Sequence, residues 1–395
     1  MNPMEKEKKI ELLVLVIFTG FICAVVFHLA NHFMGRGYPY DTFLFRSDDR
    51  FMDFFNPLRG SSDLDPYNPA RINYIGGYLP FGYLVSFLFS LTRPWIISLA
   101  IFITLFITYL IWYIINTLYR NKKLNFAERL NALTLVLLTY PILFILDRAN
   151  FDIIVFIFIS LFVYLYQRGR LTLAVLLLAF PIAMKGYPLV LLTIPLLDKR
   201  IRDILLTGGL TFALEIVSLA VFKGGLAIEF SKMLASFGTS YSIAFGSGSL
   251  VRFNSSLFTL LLFLKPSLIT SSWFNRAYVL LVTAFFFIIT FVIYKNNYPF
   301  WRRLLIITLM MILFPQSSGD YRLLMLYPPL LLFLAQNEKS SIDKVTTILL
   351  GLILIPKAYY VFYSDVNIGI ILNPMLLTIL LIIVSIPLKT QRRTD

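Results

Sequence analysis

Apolar runs of about twenty residues, parted by short polar connections, recur along nearly the whole chain. The first, ELLVLVIFTGFICAVVFHLA (residues 11–30), meets the roughly 20 apolar residues that an α-helix needs to cross a hydrocarbon core of about 30 Å. Backbone polar groups inside lipid must be satisfied within the segment, so such runs predict helices. The pattern therefore predicts an all-α polytopic membrane protein. The first run follows the basic MNPMEKEKK and lacks a small-residue cleavage site, so it reads as a retained span instead of a signal peptide. No repeat, soluble segment or low-complexity tail interrupts the pattern, which predicts one integral domain over residues 1–395.

Charge assigns sides to the connections. Basic clusters occur at EKEKK, RNKKLNFAER (120–129), QRGR (167–170), DKRIRD (198–203), YKNNYPFWRR (294–303), NEKSSIDK (337–344) and the C-terminal KTQRRTD. Such clusters face the cytoplasm. The intervening connections then face outward, beginning with a long first outer loop over 31–72. This alternation predicts about twelve crossings with both termini inside. Two further apolar stretches, 74–92 and 256–272, would break the parity, so they are expected to be re-entrant or interfacial. The stretch LTLAVLLLAFPIAMKGYPLVLLTIPLL (171–197) must go out and return within a short length, and Pro181, Gly186, Pro188 and Pro195 interrupt it. Broken hairpins of this kind often end at a site within the membrane thickness.

Composition agrees and narrows the chemistry. The chain is 58% hydrophobic and only 14% charged, against about 25% in soluble domains. Its net charge of +14 is scattered through short loops, which argues against a nucleic-acid partner. Cys23 is the single cysteine, and His28 and His32 are the only histidines. Disulfides and a zinc-type ligand set are thereby excluded, and neither a metal nor another cofactor is expected. His28 reads as a packed or partner-bonded residue, and Asp63 and Asp65 in SSDLDPYNP as turn residues.

Charges on the outer side are the informative ones, because orientation does not require them. RSDDRFMDFFNPL (46–58) sets Asp48, Asp49 and Asp53 among aromatic residues; Asp147, Arg148, Asp152, Lys185, Arg252, Asp320 and Arg322 lie at later outer span ends. Some have plain structural readings: Asp147–Arg148 as a helix-end pair, Lys185 as a snorkelling side chain, Asp320–Arg322 as an ion pair, Arg252 and Asn254 at a capped helix start. Together, however, they suggest an outward cleft with carboxylates beside cations, since ionisable groups at such depth usually face a polar cavity. Transfer of a sugar from a lipid-linked phosphate suits such a cleft. An acid serves the acceptor hydroxyl as general base, and Lys185, Arg148, Arg252 and Arg322 would hold the departing phosphate. Asp49 stands four residues before Asp53, so the two would share a helix face, and their mutual repulsion suits a general base.

The same residues carry a resemblance. DFFNPLRGSSDLDPYNPARINYIGGYLPFGYL (53–84), the DRANFD…KGYP core (147–188), VRFNSSLF (251–258) and PQSSGDYRLLMLYPPL (315–330) resemble, in order, the motifs of glycosyltransferase family 87. This is the polyprenol-phosphate-mannose-dependent branch of the GT-C superfamily of integral-membrane glycosyltransferases. The chain departs from its pattern at Ala149, where the family has Gly before Asn150, and at GDYR (319–322), where late motifs often carry His or Trp. The resemblance implies a GT-C-like fold in a bacterial or archaeal plasma membrane. It implies transfer of one sugar, mannose by default, from a polyprenyl-phosphate-linked donor to a glycolipid or glycan hydroxyl at the outer face, with inversion. Asp53 matches the first-loop aspartate, with Asp49 the runner-up. Lys185 and Tyr187 would bind donor phosphate, assisted by Arg148 and by Arg252 or Arg322. Asn150 and Asn254 fall in the motif cores, and Asp320 is a possible second acid. A transporter or flippase of a lipid-linked sugar remains an alternative, as does an oligosaccharide ligase.

Overall fold

The computed structural model describes residues 5–68, 77–119, 124–246, 253–336, 340–360 and 367–387. Its helices run in the order α1 (Lys6–Phe33), α2 (Met52–Ser61), α3 (Pro80–Ser90), α4 (Trp95–Leu118), α5 (Phe126–Leu137), α6 (Tyr140–Arg148), α7 (Asp152–Gln167), α8 (Leu171–Leu177), α9 (Ala179–Lys185), α10 (Thr193–Leu197), α11 (Ile201–Val221), α12 (Gly225–Gly246), α13 (Leu257–Leu264), α14 (Ser272–Asn296), α15 (Phe300–Leu313), α16 (Tyr327–Ala335), α17 (Asp343–Leu354) and α18 (Gly369–Ser385). Extended pairing among the described residues consists of two isolated bridges, Asn254–Gly319 and Tyr360–Asn367.

Local sequence explains many of the boundaries. Asn125 and Glu128 form a reciprocal capping box at the start of α5, with hydrogen bonds of 2.8 and 3.0 Å. Ser256 caps α13 by accepting from the Thr259 amide. Prolines fall in the first turn of α3 and α6, where a missing amide costs nothing. At the end of α17 the Lys357 ammonium donates to the carbonyls of Leu352, Ile353 and Ile355, each at 2.8 Å, a cation on the negative end of the helix.

Helices α1, α4, α11 and α14 are each long and apolar enough to cross a membrane, and α5 with α6 forms a fifth candidate bent by 48°. Residues such as Val26, Leu105, Phe212 and Leu280 leave apolar surface exposed on those four helices, as lipid contact requires. Helices α15 and α16 instead are buried on all sides, the mark of an interior element. The α15–α16 pair packs against α4 and α18, while α1 packs along α17. There Lys9 and Asp343, both fully buried, pair at 3.2 Å; removing one partner of such a pair leaves an uncompensated charge.

The remaining apolar runs are shorter than the sequence pattern suggests. The hairpin expected over 171–197 divides into α8, α9, a 3-10 turn at Tyr187–Leu192, and α10, because Gly186 adopts φ +66° and prolines flank it. In the two stretches expected not to cross, α3 has 11 residues and α13 has 8. At 1.5 Å per residue these measure about 17 and 12 Å, well short of the core thickness. What matters most for function is that the C-terminus of α6, the start of α7, the end of α9, α2 and the 3-10 turn Asp320–Leu326 meet at one end of the bundle.

Candidate functional site

The centre of this end is the turn between α6 and α7. Ala149 takes a left-handed conformation (φ 47°), a state that favours Gly, and this sharp reversal places Arg148 and Asn150 side by side. The Asn150 carboxamide accepts from the Asp152 amide at the start of α7, at 2.9 Å. Its Nδ2 donates to Asp53 Oδ2 at 2.7 Å, and its Oδ1 also accepts from Lys185 Nζ at 2.9 Å. One asparagine thus ties an acid to a cation.

Around it the expected residues converge. Arg148 donates to Asp53 Oδ1 at 2.5 Å and to Asp49 Oδ2 at 3.0 Å, and also to the Asp49 carbonyl at 2.8 Å. The Phe45 ring lies under this guanidinium at 4.1 Å. Lys185, the last residue of α9, pairs with Asp152 Oδ1 at 3.1 Å, and the Tyr187 hydroxyl donates to the same oxygen at 3.2 Å. Tyr78 and Tyr321 present their rings to the Lys185 ammonium at 4.6 and 5.5 Å. Arg322 stacks on Tyr187 at 4.4 Å and donates to the Ser317 carbonyl. Its Nε is buried without a hydrogen-bond partner, and it has no carboxylate partner among the described residues.

Exposure grades the cluster from rim to floor. The side chains of Asp49 and Asp53 are 38% and 23% exposed, Lys185 11%, and Asp152 fully buried. The first-loop acids therefore form the outer rim, and Asp152 underlies Lys185 as its fixed counter-charge.

The expectation that Asp49 and Asp53 share one helix face is not met. Asp49 ends a separate 3-10 turn, and Phe51 at φ 61° stands between that turn and α2. Arg148 brings the two acids together from the other side, so their charges meet a guanidinium instead of each other. Arg252 lies outside the described residues. Asp320 and Asn254 belong to an adjoining buried cluster. Asp320 accepts from Ser255 Oγ at 2.6 Å and Tyr140 OH at 2.9 Å, with Asn373 at 3.3 Å. Burial pushes its carboxyl above the usual carboxylate range against these donors. Asn254 Oδ1 accepts from the amides of Ser256 and Ser318, pinning the start of α13 to the turn before Asp320. The Phe45 and Phe253 rings, 5.4 Å apart, stand between the two clusters.

Several participants have roles that the motifs did not assign. Asp152 is the Lys185 counter-ion, and Tyr78 and Tyr321 wall the ammonium. Glu215, on the apolar helix α11, accepts from the Phe81 amide at 3.1 Å and so holds the first turn of α3, next to Tyr78. A carboxylate inside a 21-residue apolar helix is itself a signal that could have found it. His28, by contrast, is packed as expected, its Nδ1 2.8 Å from the Tyr40 carbonyl. Asp65 does more than shape a turn, pairing with Lys232 on α12 at 2.8 Å.

Compared with known proteins, the chain matches the model of glycosyltransferase family 87 over residues 74–315. The matched span holds Arg148, Asn150, Asp152, Lys185 and Tyr187, while Asp49 and Asp53 precede it and Arg322 follows it. Neither the curated proteins nor the solved structures contain a match.

Proposed function

The chain belongs to glycosyltransferase family 87 and is thus a membrane glycosyltransferase; from that premise we propose that it transfers a single sugar from a polyprenyl-phosphate-linked donor to a hydroxyl of a glycolipid or glycan. Mannose is the default sugar. Reaction takes place at the outer face of a GT-C-like bundle of about twelve crossings with both termini cytoplasmic, within a bacterial or archaeal plasma membrane, and the product belongs to the cell envelope.

The observation that carries this reading is the Asn150 bridge, which holds Asp53 and Lys185 within one side chain of each other. The acceptor oxygen attacks the anomeric carbon from the face opposite the phosphate. As that C–O bond forms, the bond from carbon to phosphate oxygen breaks and its electron pair leaves with the polyprenyl phosphate. The acceptor proton passes to Asp53, whose oxygens each retain a lone pair beyond the one used by Arg148 or Asn150. Attack from that side inverts the carbon, giving an α-linkage from a β-linked donor. The leaving phosphate gathers charge and needs cations in place beforehand. Arg322 suits this part best, since its Nε is an unused donor and no acid pairs with it among the described residues. Lys185 adds a point charge that Asp152 and the tyrosine rings hold in position, with Tyr187 completing the pocket.

The test is release of polyprenyl phosphate by purified protein given short-chain polyprenyl-phosphate-linked sugars and candidate acceptors. Release with monosaccharide donors is expected. Bound donor that is never cleaved would favour a carrier or flippase, and cleavage confined to preassembled oligosaccharide donors would favour a ligase.

A further inference from the structure

The opposite end of α7 holds a second polar feature. The 16 residues of α7 place it about 24 Å from the Asp152 end. Here the loops after α10 and α14 border an open cavity of about 610 Å³ lined by Asp198, Lys199, Tyr294, Lys295, Tyr298 and Arg303, among others. A volume of this size accommodates a small ligand or headgroup.

Charge in this cavity is unbalanced. Among the described residues Asp198 is its one lining acid, and both of its oxygens are engaged by the protein: Arg303 donates to Oδ1 at 2.6 Å and the Tyr166 hydroxyl to Oδ2. Lys199 and Lys295 have no acidic partner among the described residues, and Arg303 Nε is buried without an acceptor. Two positive charges and an unused guanidinium donor therefore face a space bounded by Tyr294 and Tyr298. The surface beside it is apolar and open. Leu196 and Ile201 flank the α10–α11 loop at 51% and 49% exposure, and Phe291 lies one turn before Lys295 at 63%.

We propose that this cavity binds the phosphate headgroup of an anionic membrane lipid, whose chains lie along the apolar surface of α11 and α14. Basic pockets between helices take such headgroups. The exposed apolar border favours a phosphate carried on a lipid over a soluble one. The lipid would tie the α10–α11 and α14–α15 loops together at the end remote from sugar transfer, so the site is separate from that for the donor.

Purified full-length protein can be tested for retained lipid by native mass spectrometry after exposure to phosphatidylglycerol or phosphatidylcholine. Near a membrane surface each lysine contributes roughly fivefold to anionic-lipid affinity, so the Lys199→Gln/Lys295→Gln variant should retain phosphatidylglycerol about 30-fold less well than wild type. Arg168→Gln/Arg170→Gln, which removes two exposed cations just past α7, should change retention less than threefold. Equal losses in both variants would reduce the effect to general surface charge and overturn the proposal. Retention of phosphatidylcholine equal to phosphatidylglycerol would do the same. Displacement of the lipid by millimolar inorganic phosphate alone would assign the cavity to a soluble phosphate instead. All four lysine and arginine positions are exposed, so loss of folding does not obscure the result.

Discussion

Asp53 and Asp320 are both acids of the same end of the bundle, yet their surroundings differ in kind. Asp53 sits near the rim, 23% exposed, facing a guanidinium and an amide that belong to a larger cluster of paired charges. Asp320 is buried, and its partners Tyr140, Ser255 and Asn373 are neutral. An acid that must receive a proton from an incoming hydroxyl needs an open side and nearby cations to hold the other reactant. An acid held by two hydroxyls and an amide on three separate segments ties those segments together. Placement decides between the two roles where residue type does not.

Asp53→Asn should separate them most strongly. The amide keeps the volume and can still accept from Arg148, but it loses the bond from Asn150 and cannot take the acceptor's proton, so kcat should fall by about 10²–10⁴, far more than the loss of about 1 kcal/mol of stability from that one hydrogen bond. Undiminished turnover would remove Asp53 as base and leave the comparison without its reactive member.

Arg322→Gln comes next. Loss of one preorganised donor to a developing charge typically lowers kcat by 10²–10³. Among the described residues Arg322 has no carboxylate to strand, so the melting temperature should hold while kcat/KM drops by about 100-fold. Lys185→Gln would instead leave the fully buried Asp152 unpaired and should lower stability as well as activity. If the two variants proved equally stable, the division into a free cation and a structurally paired one would fail.

Asp320→Ala should show the reverse signature. It strips an acceptor from buried donors at roughly 1 kcal/mol each, so stability should drop by about 3 kcal/mol, while transfer by the folded fraction stays within about threefold. Burial raises this carboxyl, so its contribution to stability is present at low pH. It is lost as pH climbs from the unfolded carboxylate value, about 3.9, through the raised folded one. The variant should therefore flatten the pH dependence of the melting temperature across that window. Strong loss of turnover at unchanged stability would move Asp320 into the reaction.

Much of this arrangement is legible in the sequence. Apolar length gave the helical class, and broken hairpins gave the position of Lys185, because glycine and proline act locally. The ordered motifs brought Arg148, Asn150, Lys185 and Tyr187 together. Pairings between distant segments were not legible: nothing local tells Asp320 to choose Tyr140 and Ser255 over Arg322, or Glu215 to hold the Phe81 amide. The shared helix face assigned to Asp49 and Asp53 failed for a local reason that spacing conceals, the left-handed Phe51 between them. Nor does apolar character distinguish lipid-facing helices such as α14 from the interior α15, since a long apolar run makes up most of both.

The smallest expected effect belongs to Asp49, and it sharpens what the rim does. Two contacts join Arg148 to Asp49, and one of them is to the backbone carbonyl at 2.8 Å, which a side-chain substitution leaves intact. The other ends on a carboxylate that is 38% exposed, where a single ion pair is worth at most about 1 kcal/mol. In Asp49→Asn the guanidinium therefore stays in place against Phe45 and Asp53. Turnover should fall no more than about fivefold, mainly through KM, with no shift in melting temperature. A loss as large as that of Asp53→Asn would mean that proximity to the donor, and not the Asn150 bridge, selects the base. The reactive acid would then be the one nearer solvent.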